Sequence, residues 1–281
     1  MAHPYPRYGA SEPAIDVGAM SPVELQAYAD SLGGWSHEIP LPTIDTGLNC
    51  SKDRAFMERE WATMALPELR GKTVIDVGGA DGGYAFMAEE FGAARVACLD
   101  YYIWSLDRPG VSQYHYSHAN RGEAPPLPHH LTEWWHPAEL PGKRNFNLAH
   151  TLLSSRVQAM PRDFMHCDLD DVGRWDIVLF LGLLYHLDDP IGALRRLYAI
   201  TSQQAIVETE AVAIPERGEP FWQLYPNAEL NYDWTNWWAP NLAGLLAGLG
   251  AAGFSNSEVL QGPPTGIDAL QNYRLIVRAI R

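Results

Sequence analysis

The chain has 281 residues, of which 47% are hydrophobic and 19% charged, which suits one large domain with accessory segments. Its 34 acidic and 20 basic side chains give a formal net charge of −14, which repels nucleic acid at long range. No apolar run approaches the roughly 20 residues that cross a bilayer, and three widely spaced cysteines fit neither a disulfide framework nor a zinc site. We therefore expect a cytoplasmic protein with no membrane partner, for which nucleic acid is a disfavoured ligand.

The first part of the chain predicts a helical cap. Ser21 precedes a predicted helix over 22–32, and a second helix is expected over 51–64, with a loop between them. We assign residues 1–65 to an N-terminal cap or lid and residues 66–281 to the main domain.

A buried strand runs into a glycine-rich turn and then a helix at residues 73–91. The β-branched run 73–77 is typical of a parallel strand covered on both faces. Glycines at 78, 79, 82 and 83 permit unusual dihedrals and let backbone N–H groups approach a ligand. The pattern indicates a site for a nucleotide-like cofactor, although such turns also close ordinary strand-to-helix corners.

A second apolar run, 95–100, ends in Asp100. This is the place where βαβ cofactor domains hydrogen-bond a ribose. The alternative is an acid that only turns the chain after a strand. The sequence then continues with a long insertion, about residues 101–154, which is usually functional at the cofactor end of a sheet.

The remaining elements alternate between strand and helix and predict an α/β fold. Strands are expected at 156–159, 174–181, 204–209, 257–260 and 273–279, and helices at 190–201 and 241–253. Such alternation requires a mostly parallel sheet whose ligands bind beyond the carboxyl ends of the strands.

Two stretches carry a resemblance to a known family. The pattern Asp-x-Gly-x-x-Asp-Gly at 76–82 and the stretch Phe-Leu-Gly-Leu-Leu-Tyr-His-Leu-Asp-Asp-Pro at 180–190 resemble class I S-adenosylmethionine-dependent methyltransferases. More narrowly, they resemble the tRNA wobble-uridine methoxy/carboxymethyl transferase-like group. Further stretches at 35–39, 46–47, 52–54 and 233–241 extend the resemblance to roughly residues 35 to 279.

The resemblance implies a Rossmann-like, seven-stranded class I methyltransferase sheet with helices on both faces, a final antiparallel strand, the N-terminal helical cap and a long insertion after the second strand. It implies S-adenosylmethionine (SAM) as the cofactor, with the ribose on Asp100, the adenine beside Asp168 and the methionine end beside 182–185. Ala80 stands where many class I enzymes have a glycine. The cofactor-binding residues implied are Asp76, Gly78, Gly79, Asp81, Gly82, Asp100, Tyr101, Asp168, Leu169, Gly182 and Tyr185.

Carboxymethylating members of that group bind the extra carboxylate of carboxy-S-adenosylmethionine. By resemblance, Lys52, Tyr185 and Arg274 match the residues that hold it, and a cation pair with a phenol suits a carboxylate. Arg274 can equally pair with an acid of the sheet. We favour unmodified SAM.

Charge and aromatic content favour a small acceptor. The insertion is rich in Tyr and Trp, and a second aromatic segment covers about residues 221–241. We expect an aromatic or glycosidic acceptor; alternatively, the tryptophans only pack the cap onto the sheet, and Glu208 only ends its strand. The residues assigned to acceptor binding are Lys52, Trp104, Glu208, Trp234, Asn236, Trp237, Trp238 and Arg274.

A general base assists methyl transfer to a hydroxyl or an acidic N–H. His186 is the first choice and His37 the second; the alternatives are a backbone contact for His186 and a surface position for His37. His129, His130 and His136 with Asp188 and Asp189 lack the spacing of a metal site, so no metal is expected.

The sequence thus predicts a SAM-dependent methyltransferase that acts on oxygen or nitrogen of a small molecule, in secondary metabolism. Two alternatives are a tRNA wobble-uridine (carboxy)methyltransferase-like enzyme and a catalytically silent SAM-binding subunit. A homo-oligomer is compatible with the sequence.

Overall fold

A computed structural model describes residues 16–121 and 133–281 of the chain. Its helices are α1 (Pro22–Ser31), α2 (Arg54–Met64), α3 (Gly83–Glu90), α4 (Tyr102–Ser105), α5 (Arg108–Ala119), α6 (Arg144–Leu152), α7 (Leu169–Val172), α8 (Pro190–Ile200) and α9 (Leu242–Ala252). Its strands are β1 (Trp35–His37), β2 (Cys50–Lys52), β3 (Thr73–Val77), β4 (Arg95–Asp100), β5 (Gln158–Pro161), β6 (Trp175–Leu181), β7 (Thr201–Ala213), β8 (Trp222–Leu224), β9 (Trp238–Pro240), β10 (Asn256–Gln261) and β11 (Gln271–Ile280).

The central sheet has seven strands in the order β10-β11-β7-β6-β3-β4-β5. Strands β3 to β7 pair with one another in parallel, whereas β11 runs antiparallel to both β7 and β10. The α/β architecture and the closing antiparallel strand confirm the fold class expected from the sequence. Since β3 lies between β4 and β6, the glycine-rich turn that follows it opens at the middle of the sheet edge.

The sheet is buried on both faces because successive residues of a strand point to opposite sides. Val74 belongs to one core cluster, and Ile75 belongs to the other. The first cluster contains cap residues such as Trp35 and Met57, together with α3. The residues assigned to the cap therefore share a core with the sheet.

Local contacts move several predicted boundaries. Helix α2 begins at Arg54 because residues 50–52 form β2, which pairs in parallel with β1, and Asp53 caps the helix by accepting from Phe56 N at 2.6 Å. Strand β7 extends beyond the predicted 204–209 because β11 pairs with it over ten residue positions. Among the helices that the structure describes, none has the length and apolar content needed to traverse a bilayer.

Candidate cofactor and acceptor site

The glycine-rich turn is tied to the neighbouring strand. Gly78 N donates to Leu99 O at 2.7 Å. Gly78 and Gly82 have φ values of +79° and +85°, and Ala80 also lies in the left-handed region at +47°. A Cβ on Gly79 would lie 2.6 Å from the Cys98 sulfur. The missing side chain at Gly79 therefore allows close packing of the turn on β4, a role that the sequence did not suggest.

Asp100 stands at the end of β4, directly beside the turn. Its carboxylate accepts from Ala80 N at 2.9 Å and from Ile103 N at 3.0 Å. Burial raises its pKa to about 6. Backbone N–H groups of Tyr101 and Trp104 also act on this carboxylate and lower its pKa, so it lies within a turn of several backbone donors. The geometry fits the role that the resemblance implies.

Asp76 is the second-last residue of β3, and its side chain is buried. Its Oδ2 has no hydrogen-bond partner within residues 16–121 and 133–281. Burial, followed by the nearby charge of Asp100, raises its pKa to about 7. A buried polar atom without a partner costs roughly 1–3 kcal/mol, so a ligand that donates a hydrogen bond here gains affinity.

Asp81 is placed differently from the cofactor contact expected. Its side chain is 1% exposed and forms an ion pair with Arg108 of α5. The carboxylate also accepts from Ser36 N and from His37 N, the latter at 3.3 Å. Arg108 in turn donates to Ser36 Oγ at 3.1 Å. Asp81 therefore ties together the turn, the cap and the insertion.

A polar cluster lies around Gly182, which follows β6 and has a φ of +69°. Glu208 does not end its strand, because β7 continues to Ala213. Arg274 Nη1 lies 2.9 Å from Glu208 Oε1 and donates to the Tyr185 hydroxyl at 3.1 Å, while its Nε lies 3.0 Å from Glu210. Glu208 Oε2 is buried without a partner among the described residues. A Cβ on Gly182 would lie 3.4 Å from the Tyr185 hydroxyl and 3.5 Å from Glu208 Oε2, so this glycine leaves room between them.

Burial dominates the ionisation of this cluster. It raises the pKa of Glu208 against the opposing effect of Arg274, and it raises the pKa of Tyr185 to about 12. Tyr185 is therefore a neutral phenol at pH 7.

Lys52 lies on the cap side of the same region. Its Nζ is 3.0 Å from Glu60 and 3.5 Å from the Tyr84 hydroxyl, which also hydrogen-bonds Glu60. The charge of Lys52 also lowers the pKa of Glu208, against the larger effect of burial. Of the three residues matched to a carboxylated cofactor, Tyr185 and Arg274 are in contact, and Lys52 is paired with Glu60.

His186 follows Tyr185 and contacts the aromatic segment. Its Nδ1 lies 3.0 Å from Thr235 O and 2.8 Å from Thr235 Oγ1, and that hydroxyl donates to Asp233 Oδ1 at 2.7 Å. Burial lowers the pKa of His186, although the charge of Asp233 opposes the shift. The ring is therefore neutral at pH 7.

His37 lies in the contact between the cap and α3, not on the surface. Its ring is edge-on to Tyr84 with centroids 5.3 Å apart, and it blocks the space where Gly83 would carry a Cβ. Burial lowers its pKa to about 4. This placement gives His37 a packing contact at the N-terminus of α3.

The predicted acceptor-binding tryptophans lie in two different places. Trp104 is fully buried against Phe146, and its Nε1 donates to Ala80 O at 2.7 Å, so it supports the turn and does not face an acceptor. The tryptophans at 234, 237 and 238 are half-buried, and Trp237 N donates to Tyr185 O at 2.8 Å. These tryptophans therefore run alongside the strand-end turn.

The remaining predicted site residues are Asn236, expected at the acceptor, and Asp168, Leu169 and Tyr101, expected at the cofactor. Asn236 Nδ2 donates to Leu230 O at 3.2 Å, so this amide stabilises its own segment. Asp168 is exposed and caps α7 by accepting from Asp170 N at 3.0 Å, with Leu169 as the first residue of that helix. Tyr101 is buried, with its ring 5.6 Å from Trp135.

The described residues include only some of the side chains that were considered for a metal site. His129 and His130 lie outside the described residues. Asp189 caps α8 by accepting from Gly192 N at 2.8 Å. Within the described ranges, no three or more His, Cys, Asp or Glu side chains are grouped so as to hold a metal ion.

Several residues of the site were not predicted. Glu60, Arg108 and Glu210 are paired with predicted residues, but no local pattern in the sequence indicates which partner each selects. Asp233 and Thr235 lie within the stretch 233–241 that supports the resemblance. Asp233 and Thr235 flank Trp234, and these two polar residues beside a tryptophan were the sequence feature that could have indicated a role in the site.

Fold and site together define a class of protein. Residues 51–250 match the family model described as methyltransferase domain, so the chain belongs to that family. The parallel sheet with its antiparallel closing strand is the class I, SAM-dependent form of this domain.

Individual relatives are distant. The tRNA U34 carboxymethyltransferase of Campylobacter lari is 22% identical over 217 residues, which cover 74% of this chain and 60% of that protein. The N-terminal domain of EvdMO1 with SAH bound has a TM-score of 0.57 at 14% identity, covering 95% of this chain and 99% of that domain. Full EvdMO1 has a TM-score of 0.56 at 16% identity, and the match covers 92% of this chain and 47% of that one. The chain thus spans 60% of its curated relative and about half of full EvdMO1.

Proposed function

We propose that this protein transfers a methyl group from SAM to an oxygen or nitrogen atom of a small-molecule acceptor, in secondary metabolism. When bound, SAM supplies a methyl group on an electrophilic sulfonium. Displacement at that carbon depends mainly on positioning, and a base within reach of the acceptor proton assists it. The observation that carries the proposal is the position of His186, which follows β6 at the carboxyl edge of the sheet with its ring 4.3 Å from that of Tyr185; burial lowers its pKa.

The residues present fit SAM. Asp100 would accept from the ribose hydroxyls, α7 would lie beside the adenine, and 182–185 would lie beside the methionine end. Asp76 Oδ2 and Glu208 Oε2 are buried acceptors without partners among the described residues, ready for donors such as an ammonium group. Carboxylates and aromatic rings also suit a cationic sulfonium.

Charge supports a neutral or cationic acceptor. Glu60, Glu208 and Glu210 surround Lys52 and Arg274, so both cations are already paired with carboxylates of the chain. The formal net charge of −14 disfavours a polyanion. A structure of the EvdMO1 N-terminal domain determined in the presence of SAH and D-fucose, with a TM-score of 0.58 at 15% identity, supports a sugar-like acceptor.

One observation favours a second candidate, carboxymethyl transfer. Arg274 and Tyr185 are in hydrogen-bond contact, and the charge of Lys52 acts on Glu208, the partner of Arg274; the resemblance matches these three residues to a carboxylated cofactor. The tRNA U34 carboxymethyltransferase relative agrees with this alternative. The pairing of both cations with chain carboxylates favours unmodified SAM.

Calorimetry separates these candidates. We expect SAM and SAH to bind with similar affinity and carboxy-S-adenosylmethionine to bind at least tenfold more weakly (about 1.4 kcal/mol). Tighter binding of the carboxylated cofactor would replace the proposal by the second candidate.

Turnover is tested with methyl-labelled SAM against a panel of sugars, glycosides, phenols and amines. Methylation of a panel member supports the proposal, and His186→Gln should then lower kcat roughly 100-fold while SAH binding is retained. Binding of SAM without turnover of any panel member would favour the silent-subunit alternative.

A further inference from the structure

Three side chains form a hydrogen-bonded line from the aromatic segment to the strand-end turn. Asp233 Oδ1 accepts from Thr235 Oγ1 at 2.7 Å, and Thr235 Oγ1 lies 2.8 Å from His186 Nδ1. The Thr235 backbone carbonyl lies 3.0 Å from the same nitrogen. The line joins residues 49 positions apart in the sequence, so it is formed only by the tertiary fold.

The donors and acceptors of this line can be assigned from chemistry alone. A carbonyl oxygen only accepts, so His186 Nδ1 must carry the hydrogen that Thr235 O receives. The Thr235 hydroxyl gives its own hydrogen to Asp233, which leaves its oxygen to accept from the same Nδ1–H. In a neutral imidazole the other nitrogen, Nε2, then holds the lone pair.

Asp233 also lies close to the insertion. Its charge raises the pKa of Tyr102 in α4, and it opposes the burial that lowers the pKa of His115 in α5. The charged groups that act on His186 itself are Asp233 and, with the opposite sign, Arg274 of β11. The aromatic segment, the insertion and the last strand of the sheet therefore all influence this histidine.

We propose that Asp233 and Thr235 are positioning residues, which hold His186 in the tautomer that presents Nε2 as the proton acceptor for methyl transfer. This role rests on the proposed function. The acceptor O–H or N–H gives its proton to Nε2 while the acceptor oxygen or nitrogen forms its bond to the methyl carbon. The carbon–sulfur bond breaks with its electron pair remaining on sulfur. Thr235 and Asp233 stabilise the resulting imidazolium through Nδ1–H.

The tautomer is measured without any acceptor, by ¹⁵N NMR of protein labelled at histidine. We expect a protonated Nδ1 and an unprotonated Nε2 for His186 in the wild type, with the signal assigned by its loss in His186→Gln. Thr235→Val and Asp233→Asn leave the Thr235 backbone carbonyl in place but remove the side-chain support, so they should raise the fraction with a protonated Nε2 without abolishing the Nδ1–H form, whereas Thr235→Ser should retain the wild-type spectrum. A wild-type Nε2 that carries the hydrogen, or spectra unchanged in Thr235→Val and Asp233→Asn, would overturn the proposal.

Kinetics add a second measurement once an acceptor is in hand. We expect Asp233→Asn to lower kcat about 10-fold to 100-fold with KM changed less than threefold, and Thr235→Ser to recover most of the wild-type rate. Because Asp233 raises the pKa of His186, its removal should also shift the acid limb of the kcat profile to lower pH.

The exposed acid Asp268 provides the matched control, since Asp268→Asn should leave the rate and its pH profile unchanged. SAH affinity confirms that each variant is folded. Absence of methyl transfer with every acceptor would refute the proposed function and leave the NMR result standing.

Discussion

At the scale of single residues, backbone conformation shows strain that the sequence conceals. Ala65 ends α2 with a φ of +45°, in the left-handed region that glycine adopts more easily. Its side chain is exposed, so no packing contact compensates the steric cost.

Ala65→Gly should therefore stabilise the protein by about 0.5–1 kcal/mol, because relief of left-handed strain exceeds the added flexibility of the unfolded chain. Urea unfolding measures the change. Ala62→Gly makes the same chemical change within the helix and should destabilise by about 0.5–1 kcal/mol. A loss of stability in both variants would contradict the interpretation.

Asp100 gives the cofactor affinity a pH dependence. Its pKa is about 6, and ribose hydroxyls prefer its ionised form, so SAH affinity should be constant above pH 7 and fall as the pH drops below 6. Asp100→Asn should weaken SAH binding roughly tenfold, through loss of hydrogen bonds to a charged group, and should reduce the loss below pH 6, while Asp76, whose pKa is about 7, accounts for the remainder. Calorimetry at a series of pH values measures both effects. An unchanged acid-side loss in Asp100→Asn would assign it to another group.

At the scale of elements, Asp81 and Arg108 connect the turn, the cap and helix α5. The Arg108 side chain is 13% exposed, so this ion pair is largely removed from water, unlike most surface pairs. The turn therefore depends on an element outside the βαβ unit that carries it.

Arg108→Met should destabilise the protein by about 3 kcal/mol, since it leaves the Asp81 carboxylate buried without its counter-ion. SAH affinity should fall as well, because the ion pair that connects the glycine-rich turn to α5 is lost. Asp81→Asn combined with Arg108→Met should recover part of the stability. Glu58→Gln serves as the control: Glu58 pairs with Arg54 but is 59% exposed, and its loss should cost less than about 0.5 kcal/mol. Equal effects in the two variants would contradict a special role for the buried pair.

The elements themselves were largely predictable, and their contacts were not. The strands β3, β4 and β6 are short apolar runs between turn residues, so periodicity located them. The short strands β1 and β2 were missed because three residues of pairing leave no periodic pattern. The fold class followed from the alternation and the resemblance. The pairing of Asp81 with Arg108 could not be predicted in this way. Arg108 belongs to the insertion, and only the tertiary fold determines where the insertion packs against the turn.

At the scale of the whole molecule, the excess of acidic over basic side chains is the property that favours the proposed function over tRNA modification. Binding of a polyanion depends on lysine and arginine contacts to phosphate, and log affinity falls with log salt. The chain carries 14 more acidic than basic side chains (34 − 20).

Transfer RNA should therefore produce no mobility shift even at about 50 mM salt, where electrostatic attraction is strong. Turnover of a small acceptor should be nearly insensitive to salt over the same range. A shift at low salt that disappears as salt rises would instead support the tRNA-modifying alternative.

The ion pairs of Arg274 have a consequence for synthesis on the ribosome. Glu208 and Glu210 lie on β7, whereas Arg274, which neutralises both, follows Glu208 by 66 residues. When β7 of the nascent chain has emerged from the ribosome, these two acids must stay solvated or protonated until β11 also emerges and pairs with β7. This polar cluster is therefore completed only after the 66 residues that follow Glu208 have been synthesised, and folding of that sheet edge is coupled to the arrival of a single guanidinium.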